Sequence, residues 1–176
     1  MRVFFALQPD ARTITGIADW RDRQFSQAGR AVSAANLHMT LAFVGELEQR
    51  SLEGLCQAVD DWCERAAPQG GSLLLDQAGY WHRPGIYWLG PSTWPESLQL
   101  LADGLRTIAS RAGGKREQKR FQPHITLFRG CKTAPPAPAA FPDKRFDYKE
   151  FSLFESRQGK NAVSYHALCH WRLESH

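Results

Sequence analysis

Residues 122–130 read QPHITLFRG, and residues 36–45 read NLHMTLAFVG. The two segments share the pattern His-x-Thr-Leu, favour extended structure and end in glycine. Successive side chains of a strand point to opposite faces, so the His and the Thr of each segment share one face. The apolar residues between them take the other face. Each segment is therefore predicted to be a strand that presents an imidazole beside a hydroxyl and is anchored in a core.

The repeat places His38 and Thr40 in one half of the chain and His124 and Thr126 in the other, 86 positions apart in 176 residues. One such histidine would be a common structural residue with a hydrogen-bonded ring. Two copies with the same apolar backing instead predict two similar lobes that face each other across a cleft. Two core histidines remain the alternative interpretation.

The composition is typical of one globular unit. Of 176 residues, 43% are hydrophobic and 23% are charged, which suffices for a core and for a polar surface. No apolar run approaches the roughly 20 residues that span a bilayer. The apolar run at the N-terminus ends at Gln8, too early for a signal peptide, and is predicted to be a buried first strand. We expect a single bilobal domain over residues 1–176, located in the cytoplasm and not bound to membranes.

Charge is unevenly distributed. Residues 1–88 contain 8 Lys and Arg against 10 Asp and Glu, whereas residues 89–176 contain 14 against 8. Much of the basic excess lies in residues 115–120, KREQKR, directly before the second motif. A basic run is often only a solvated loop. Its position beside a candidate site also makes it a candidate for steering a polyanion.

The order of elements predicts an α+β fold with antiparallel sheets and flanking helices. Hydrophobic periodicity and Gly or Pro breaks place a connecting loop at 80–85 and an irregular, proline-rich loop at 131–142. The predicted strands are 2–8, 36–44, 72–76, 86–89, 123–129, 146–155 and 162–173, and the predicted helices are 10–25, 50–66 and 95–111.

The four cysteines do not suggest a metal or redox motif, because no C-x-x-C pair is present. Cys56 and Cys63 are predicted to lie two turns apart on one helix, too far for a disulfide. Buried free thiols are therefore expected.

Two facing imidazoles suit acid–base chemistry at a phosphodiester. The unperturbed pKa of histidine, about 6.5, allows one neutral ring to act as a base and one protonated ring to act as an acid. The neighbouring Thr hydroxyls can donate hydrogen bonds to the non-bridging oxygens of a phosphate. No Asp or Glu lies within three positions of His38 or His124. This chemistry requires no metal.

The paired motif, the opening segment MRVFFAL and the segment PHITLFR together resemble the 2H phosphoesterase superfamily. Within it, the chain is most similar to the bacterial RNA 2′,3′-cyclic phosphodiesterases, also called 2′-5′ RNA ligases. The resemblance extends to IYWLG at 86–90 and FSLFES at 151–156 with Tyr165. It implies a bilobal fold with pseudo-twofold symmetry and hydrolysis of RNA-terminal 2′,3′-cyclic phosphates to 2′-phosphates, without ATP, metal or other cofactor.

Position by position, the resemblance implies that His38 donates a proton to the leaving 3′ oxygen and that His124 activates water. It implies that Thr40 and Thr126 bind the phosphate. Reversible 2′-5′ joining of RNA ends is a related activity of the family.

Two further residues of the second motif are candidates for contact with the substrate. By strand alternation Phe128 lies on the face of His124 and Thr126, where it would stack on a base or narrow the cleft. Arg129 resembles an arginine of the family and could clamp phosphate. A regular strand would aim Arg129 away from His124, so its role depends on a bend near Gly130.

Two other functions fit the sequence. A non-catalytic RNA-binding module would use the basic loop and would bind in a salt-sensitive way without needing either histidine. A phosphoesterase with the same mechanism could instead act on a small cyclic nucleotide. A monomer is the default expectation.

Overall fold

The computed structural model describes residues 1–26, 28–114, 117–142 and 145–175. Its helices are α1 (Ala11–Gln24), α2 (Leu52–Ala66) and α3 (Glu96–Arg111), with single 3₁₀ turns at Ala34–Asn36 and Gln49–Ser51. Its strands are β1 (Arg2–Leu7), β2 (Arg30–Ala31), β3 (Met39–Glu46), β4 (Gly71–Leu74), β5 (Gln77–Trp81), β6 (Ile86–Gly90), β7 (Ile125–Arg129), β8 (Arg145–Tyr148), β9 (Glu150–Gln158) and β10 (Val163–Arg172). None of the helices in these ranges is long and apolar enough to cross a membrane.

One antiparallel sheet organises the fold. Its strand order is β10-β9-β1-β3-β7-β6-β5, with β2 added to β7, and a separate two-stranded sheet pairs β4 with β8. The two motif strands β3 and β7 are neighbours at the centre, where Met39 is paired with Ile125. Each of these residues directly follows a motif histidine. The pairing therefore places His38 and His124 near each other, at the matching ends of two neighbouring central strands.

The helices form where the sequence patterns predict them. Asp10 caps α1 by accepting a hydrogen bond from the Thr13 amide at 2.7 Å. The apolar stripe of α3, which includes Leu98, Leu101 and Leu105, is fully buried in the main core. Burying each such leucine contributes about 1.5–3 kcal/mol, so the stripe fixes α3 on the sheet. The α+β prediction is confirmed.

Some strand boundaries differ from the prediction. The expected loop at 80–85 begins inside β5, because this strand includes Gly79 and continues to Trp81. A Cβ atom at Gly79 would meet the Trp88 ring at 2.3 Å, so the glycine is needed for the close approach of that ring. The expected strand at 146–155 is two strands, β8 and β9, which belong to different sheets.

Both motif strands contain a bulge directly after the motif threonine. In β3, Thr40 is paired with Ala6 and Ala42 with Phe5, so Leu41 is an extra residue. In β7, Thr126 is paired with Trp88 and Phe128 with Tyr87, so Leu127 is extra in the same way. A bulge inserts one residue and reverses the alternation beyond it. Residues 42 and 128 therefore turn to the core, and residues 43 and 129 turn to the opposite face.

The expectation that Phe128 shares the face of His124 is wrong for this reason. Phe128 is only 4% exposed and belongs to the main core. Its ring meets Phe25 edge-on at 5.8 Å, and the Arg21 guanidinium lies 5.7 Å from its centroid. Phe128 is thus a core residue and is not available to stack on a base.

We expect Phe128→Ala to destabilise the protein by about 3–5 kcal/mol, because it removes a buried ring and leaves a cavity. Urea unfolding of the variant and the wild type measures this difference. Phe43→Ala is the matched control, because Phe43 is 62% exposed and its truncation should change stability by less than about 0.5 kcal/mol. Equal stabilities for the two variants would contradict the placement of these rings.

Candidate active site

A cleft with a volume of about 1410 Å³ lies over the centre of the sheet. Five of the six residues proposed from the sequence line it: His38, Thr40, His124, Thr126 and Arg129. The sixth, Phe128, lies in the core beneath it. The central pairing of β3 with β7 is what brings the two distant motifs together.

Both imidazoles are held in the same way. His38 Nδ1 lies 2.7 Å from the carbonyl oxygen of Asn36, and His124 Nδ1 lies 2.7 Å from the carbonyl oxygen of Gln122. A carbonyl oxygen only accepts, so Nδ1 donates in each ring and Nε2 remains for chemistry. His38 Nε2 is also 3.1 Å from Thr40 Oγ1. When the ring is neutral, the Thr40 hydroxyl donates to it.

An aromatic ring stands edge-on to each imidazole. Tyr165 meets His38 at 4.9 Å with an interplanar angle of 80°, and Trp81 meets His124 at 4.6 Å and 79°. Phe4 packs against His38 from another direction at 5.1 Å, and Trp88 lies 6.1 Å from His124. The sequence indicated the histidines but not these partners, because strands distant along the chain supply them.

Burial by these rings disfavours the charged form of both histidines. It lowers the pKa of His38 from 6.5 to about 4, with smaller contributions in the same direction from Arg129 and His124, partly opposed by the bond to Asn36. Burial and Arg129 also lower the pKa of His124. Both rings are therefore neutral near pH 7 when the cleft is empty. An anion in the cleft would counteract these effects and favour protonation.

Arg129 turns into the cleft because of the bulge at Leu127. Gly130 follows it with φ +66°, a left-handed conformation that glycine adopts without strain. Within the described residues, no carboxylate forms an ion pair with Arg129. An unneutralised guanidinium beside two imidazoles is suited to binding an anion such as phosphate.

Phe43 is the counterpart of Arg129 in the first motif, three residues after its threonine. It lines the cleft, is 62% exposed, and its ring centroid lies 6.2 Å from that of Phe4. The site is therefore asymmetric, with an exposed ring in one half and a free cation in the other. The sequence pattern does not indicate Phe43, because regular alternation places Ala42, rather than Phe43, beside Thr40.

The rim on the side of His124 is basic. Lys119 and Arg120, from the basic loop, line the cleft together with Arg106 and one carboxylate, that of Glu117. Arg106 donates a hydrogen bond to the Lys119 carbonyl oxygen at 3.0 Å, which holds the loop against α3. Residues 115 and 116 of this loop lie outside the described residues. Among the described residues, no group of three or more His, Cys, Asp or Glu side chains could hold a metal ion.

The chain is similar in sequence to known proteins, one of which matches almost its whole length. The RNA 2′,3′-cyclic phosphodiesterase of Escherichia coli is 36% identical over 98% of this chain and 96% of its own. The protein of the same name from Thermotoga maritima is 35% identical over 56% of this chain and 52% of its own.

Solved structures match in the same way. The crystal structure of E. coli LigT complexed with 3′-AMP has a TM-score of 0.88 at 36% identity, over 98% of this chain and 97% of that one. TT0787 of Thermus thermophilus has a TM-score of 0.77 at 25% identity, over 98% of both chains. The sequence model of the 2′-5′ RNA ligase superfamily matches residues 8–160. The chain belongs to the 2′-5′ RNA ligase superfamily.

Proposed function

We propose that this protein hydrolyses RNA-terminal 2′,3′-cyclic phosphate to a 2′-phosphate, with His38 as the acid and His124 as the base. The observation that carries the proposal is the matched presentation of two imidazoles, each with Nε2 available, around the free cation of Arg129. The family and the name of the E. coli relative support the choice of substrate.

The reaction is a displacement at phosphorus. Nε2 of His124 takes a proton from a water molecule, whose oxygen forms a new bond to phosphorus. The bond from phosphorus to the 3′ oxygen breaks on the opposite side, and Nε2–H of His38 gives its proton to that oxygen. Arg129, Thr40 and Thr126 hold the charge on the non-bridging oxygens. Protonation of the 3′ oxygen leaves the phosphate on the 2′ oxygen.

The low pKa of His38 raises the question of how the acid acquires its proton. In the empty cleft, burial and Arg129 keep the ring neutral. The cyclic phosphodiester carries one negative charge, which favours an imidazolium beside it. Substrate binding therefore favours protonation of His38, and release of the anionic product returns both imidazoles to the neutral state. The same groups used in reverse would join RNA ends through a 2′-5′ bond.

The size and the charge of the cleft support an RNA end, rather than a small nucleotide, as the substrate. The cleft volume of about 1410 Å³ exceeds the 300–1,000 Å³ of ordinary small-ligand pockets. The basic rim formed by Arg106, Lys119 and Arg120 suits further phosphates of a chain. We further propose that the chain works as one bilobal domain, as a monomer in the cytoplasm, and without a metal ion.

The test is incubation of the purified protein, with EDTA and without ATP, with a short RNA that ends in 2′,3′-cyclic phosphate. We expect a 2′-phosphate product, identified by chromatography against authentic 2′- and 3′-phosphate ends. Turnover of a small cyclic nucleotide but not of RNA would keep the mechanism and change the substrate. Salt-sensitive RNA binding without turnover would contradict the enzymatic proposal and favour a binding module.

Within this function, Phe43 is proposed to stack on the terminal base. Stacking of a base on an aromatic side chain contributes about 1–3 kcal/mol by alanine substitution. Phe43→Ala should therefore lower kcat/KM about 5- to 150-fold, mainly by raising KM, and Phe43→Trp should restore it. Steady-state kinetics on the RNA substrate measure the effect. Leu100→Ala, at another exposed apolar side chain that does not line the cleft, is the control and should have no effect.

A further inference from the structure

Helix α2 and strand β10 meet at two side-chain contacts outside the cleft. Trp171 Nε1 donates a hydrogen bond to Asp60 Oδ1 at 2.6 Å. One helical turn earlier on α2, Cys56 Sγ lies 2.7 Å from Cys169 Sγ. Both contacts join α2 to β10 at neighbouring positions. The short distance between the two sulfur atoms therefore follows from the way the helix packs on the strand.

We propose that Cys56 and Cys169 are a redox site that forms an intramolecular disulfide and releases it on reduction. Both side chains are half-buried and both are free thiols in this structure. A disulfide has a sulfur–sulfur distance of about 2.05 Å, so the two atoms need to approach by less than about 1 Å. The expectation of buried free cysteines holds for Cys131, whereas Cys56, Cys63 and Cys169 are only half-buried.

A disulfide between Cys56 and Cys169 would stabilise the edge of the large sheet. β10 forms one edge of the large sheet, and its partner among the described strands is β9. Edge and terminal strands open most readily. A bond between Cys56 and Cys169 would tie this strand to α2 and close a loop of more than 100 residues. By constraining the unfolded chain, such a bond stabilises the folded state.

The same strand supports one half of the active site. Tyr165 of β10 stands against the His38 ring, and the Val163 carbonyl oxygen accepts a hydrogen bond from Asn36 Nδ2 at 2.8 Å. The backbone carbonyl of Asn36 in turn orients His38. Fixing β10 should therefore protect the site of the acid against opening of the sheet edge. The redox pair itself lies outside the cleft and touches no proposed catalytic group.

The chemistry is a thiol–disulfide exchange with a small organic disulfide, RSSR. One cysteine thiolate attacks RSSR, forms a mixed disulfide and releases RS⁻. The second cysteine thiolate then attacks the mixed disulfide, forms the Cys56–Cys169 bond and releases the second RS⁻. The two thiol protons end on the two released RS⁻ groups. The protein is thus oxidised by two electrons, and one RSSR is reduced to two RSH.

The environment of Cys56 predicts slow oxidation at neutral pH. Burial and the contact with Cys169 raise the pKa of Cys56 to about 12, so the thiol is protonated. Because the thiolate is the attacking species, oxidation should speed up as the pH rises.

The experiment compares the full-length protein after treatment with oxidised glutathione at pH 8.5 and after treatment with dithiothreitol. Oxidation should lower the number of thiols that can be titrated after unfolding in denaturant from four to two. Digestion without reductant should yield a peptide pair that joins residues 56 and 169. The melting temperature should rise by several degrees, on the order of 10 °C, and dithiothreitol should reverse the rise.

Matched variants make the test specific. Cys56→Ser and Cys169→Ser should each abolish the internal bond and the rise in melting temperature. Cys63→Ser, a half-buried cysteine on the same helix, should retain both. The dithiothreitol-treated variants should melt as single folded species, which separates loss of the bond from loss of the fold. Four unchanged thiols, glutathione adducts without an internal bond, or a bond between other cysteines would each overturn the proposal.

Discussion

Replacing either His38 or His124 with alanine is expected to lower turnover of RNA 2′,3′-cyclic phosphate by roughly 10²–10⁴-fold. Each variant loses one of the two proton transfers, because the remaining imidazole cannot serve as acid and base in the same step. Single-turnover assays with saturating enzyme measure the chemical step apart from binding. Substrate affinity should change little, because Arg129 and the two threonines remain. The control is His170→Ala, at an exposed histidine that does not line the cleft.

The two histidines should differ in their response to the leaving group. A phosphodiester that releases 4-nitrophenolate needs little help from an acid, because that anion is stable without protonation. His38→Ala should therefore lose far less activity on this ester than on RNA, whereas His124→Ala should lose as much on both. The opposite pattern would exchange the two roles. Near-full activity of both variants on RNA would contradict the two-histidine mechanism.

Arg129→Ala is expected to lower kcat by about 10²–10³-fold, the usual effect of removing a preorganised charge that stabilises a transition state. The effect should be large because no carboxylate neutralises this guanidinium in the described part of the chain. Arg129→Lys should recover only part of the loss, since an ammonium cannot bind two phosphate oxygens in the same planar way. Steady-state kinetics on the RNA substrate give both values.

Arg129→Ala should also shift the pH dependence of kcat/KM, which reports the pKa values of groups in the free enzyme. The active form needs one protonated and one neutral imidazole. The positive charge of Arg129 disfavours protonation and lowers the pKa of both His38 and His124. Removal of this charge raises both pKa values. The whole bell-shaped profile should therefore move to higher pH, and the maximal kcat/KM should fall.

Lys119→Ala is the matched control for this shift. Lys119 is an exposed cation on the rim and does not contribute to the lowered pKa of either histidine. Its loss should weaken RNA binding and reduce the salt dependence, with the pH profile unchanged. A pH profile that stays in place in Arg129→Ala would show that the arginine does not act on the imidazoles.

Much of the fold and part of the site could be predicted from the sequence. Amphipathic periodicity located all three helices to within two residues, since one buried stripe on a helix requires that pattern. The repeated His-x-Thr motif identified His38 and His124 as a pair, because the same apolar backing surrounds each. These features depend on residues close together in the chain, so local periodicity records them.

The faces of residues beyond each threonine were decided by pairing between distant strands. Strand alternation alone put Phe128 in the cleft and turned Arg129 away from it. The bulges at Leu41 and Leu127 reversed this and brought Phe43 and Arg129 to the site. A bulge depends on the register with a neighbouring strand, which the spacing of residues within one strand does not record.

The sequence by itself determined the α+β class, the helices and the pair of histidines. The tertiary structure alone decided which rings pack on those histidines, which cation stands beside them and which two cysteines meet. Tyr165 is more than 120 positions from His38, and Cys169 is 113 positions from Cys56. Such contacts arise from sheet order and from the packing of helix on sheet, where side chains far apart in the chain become neighbours.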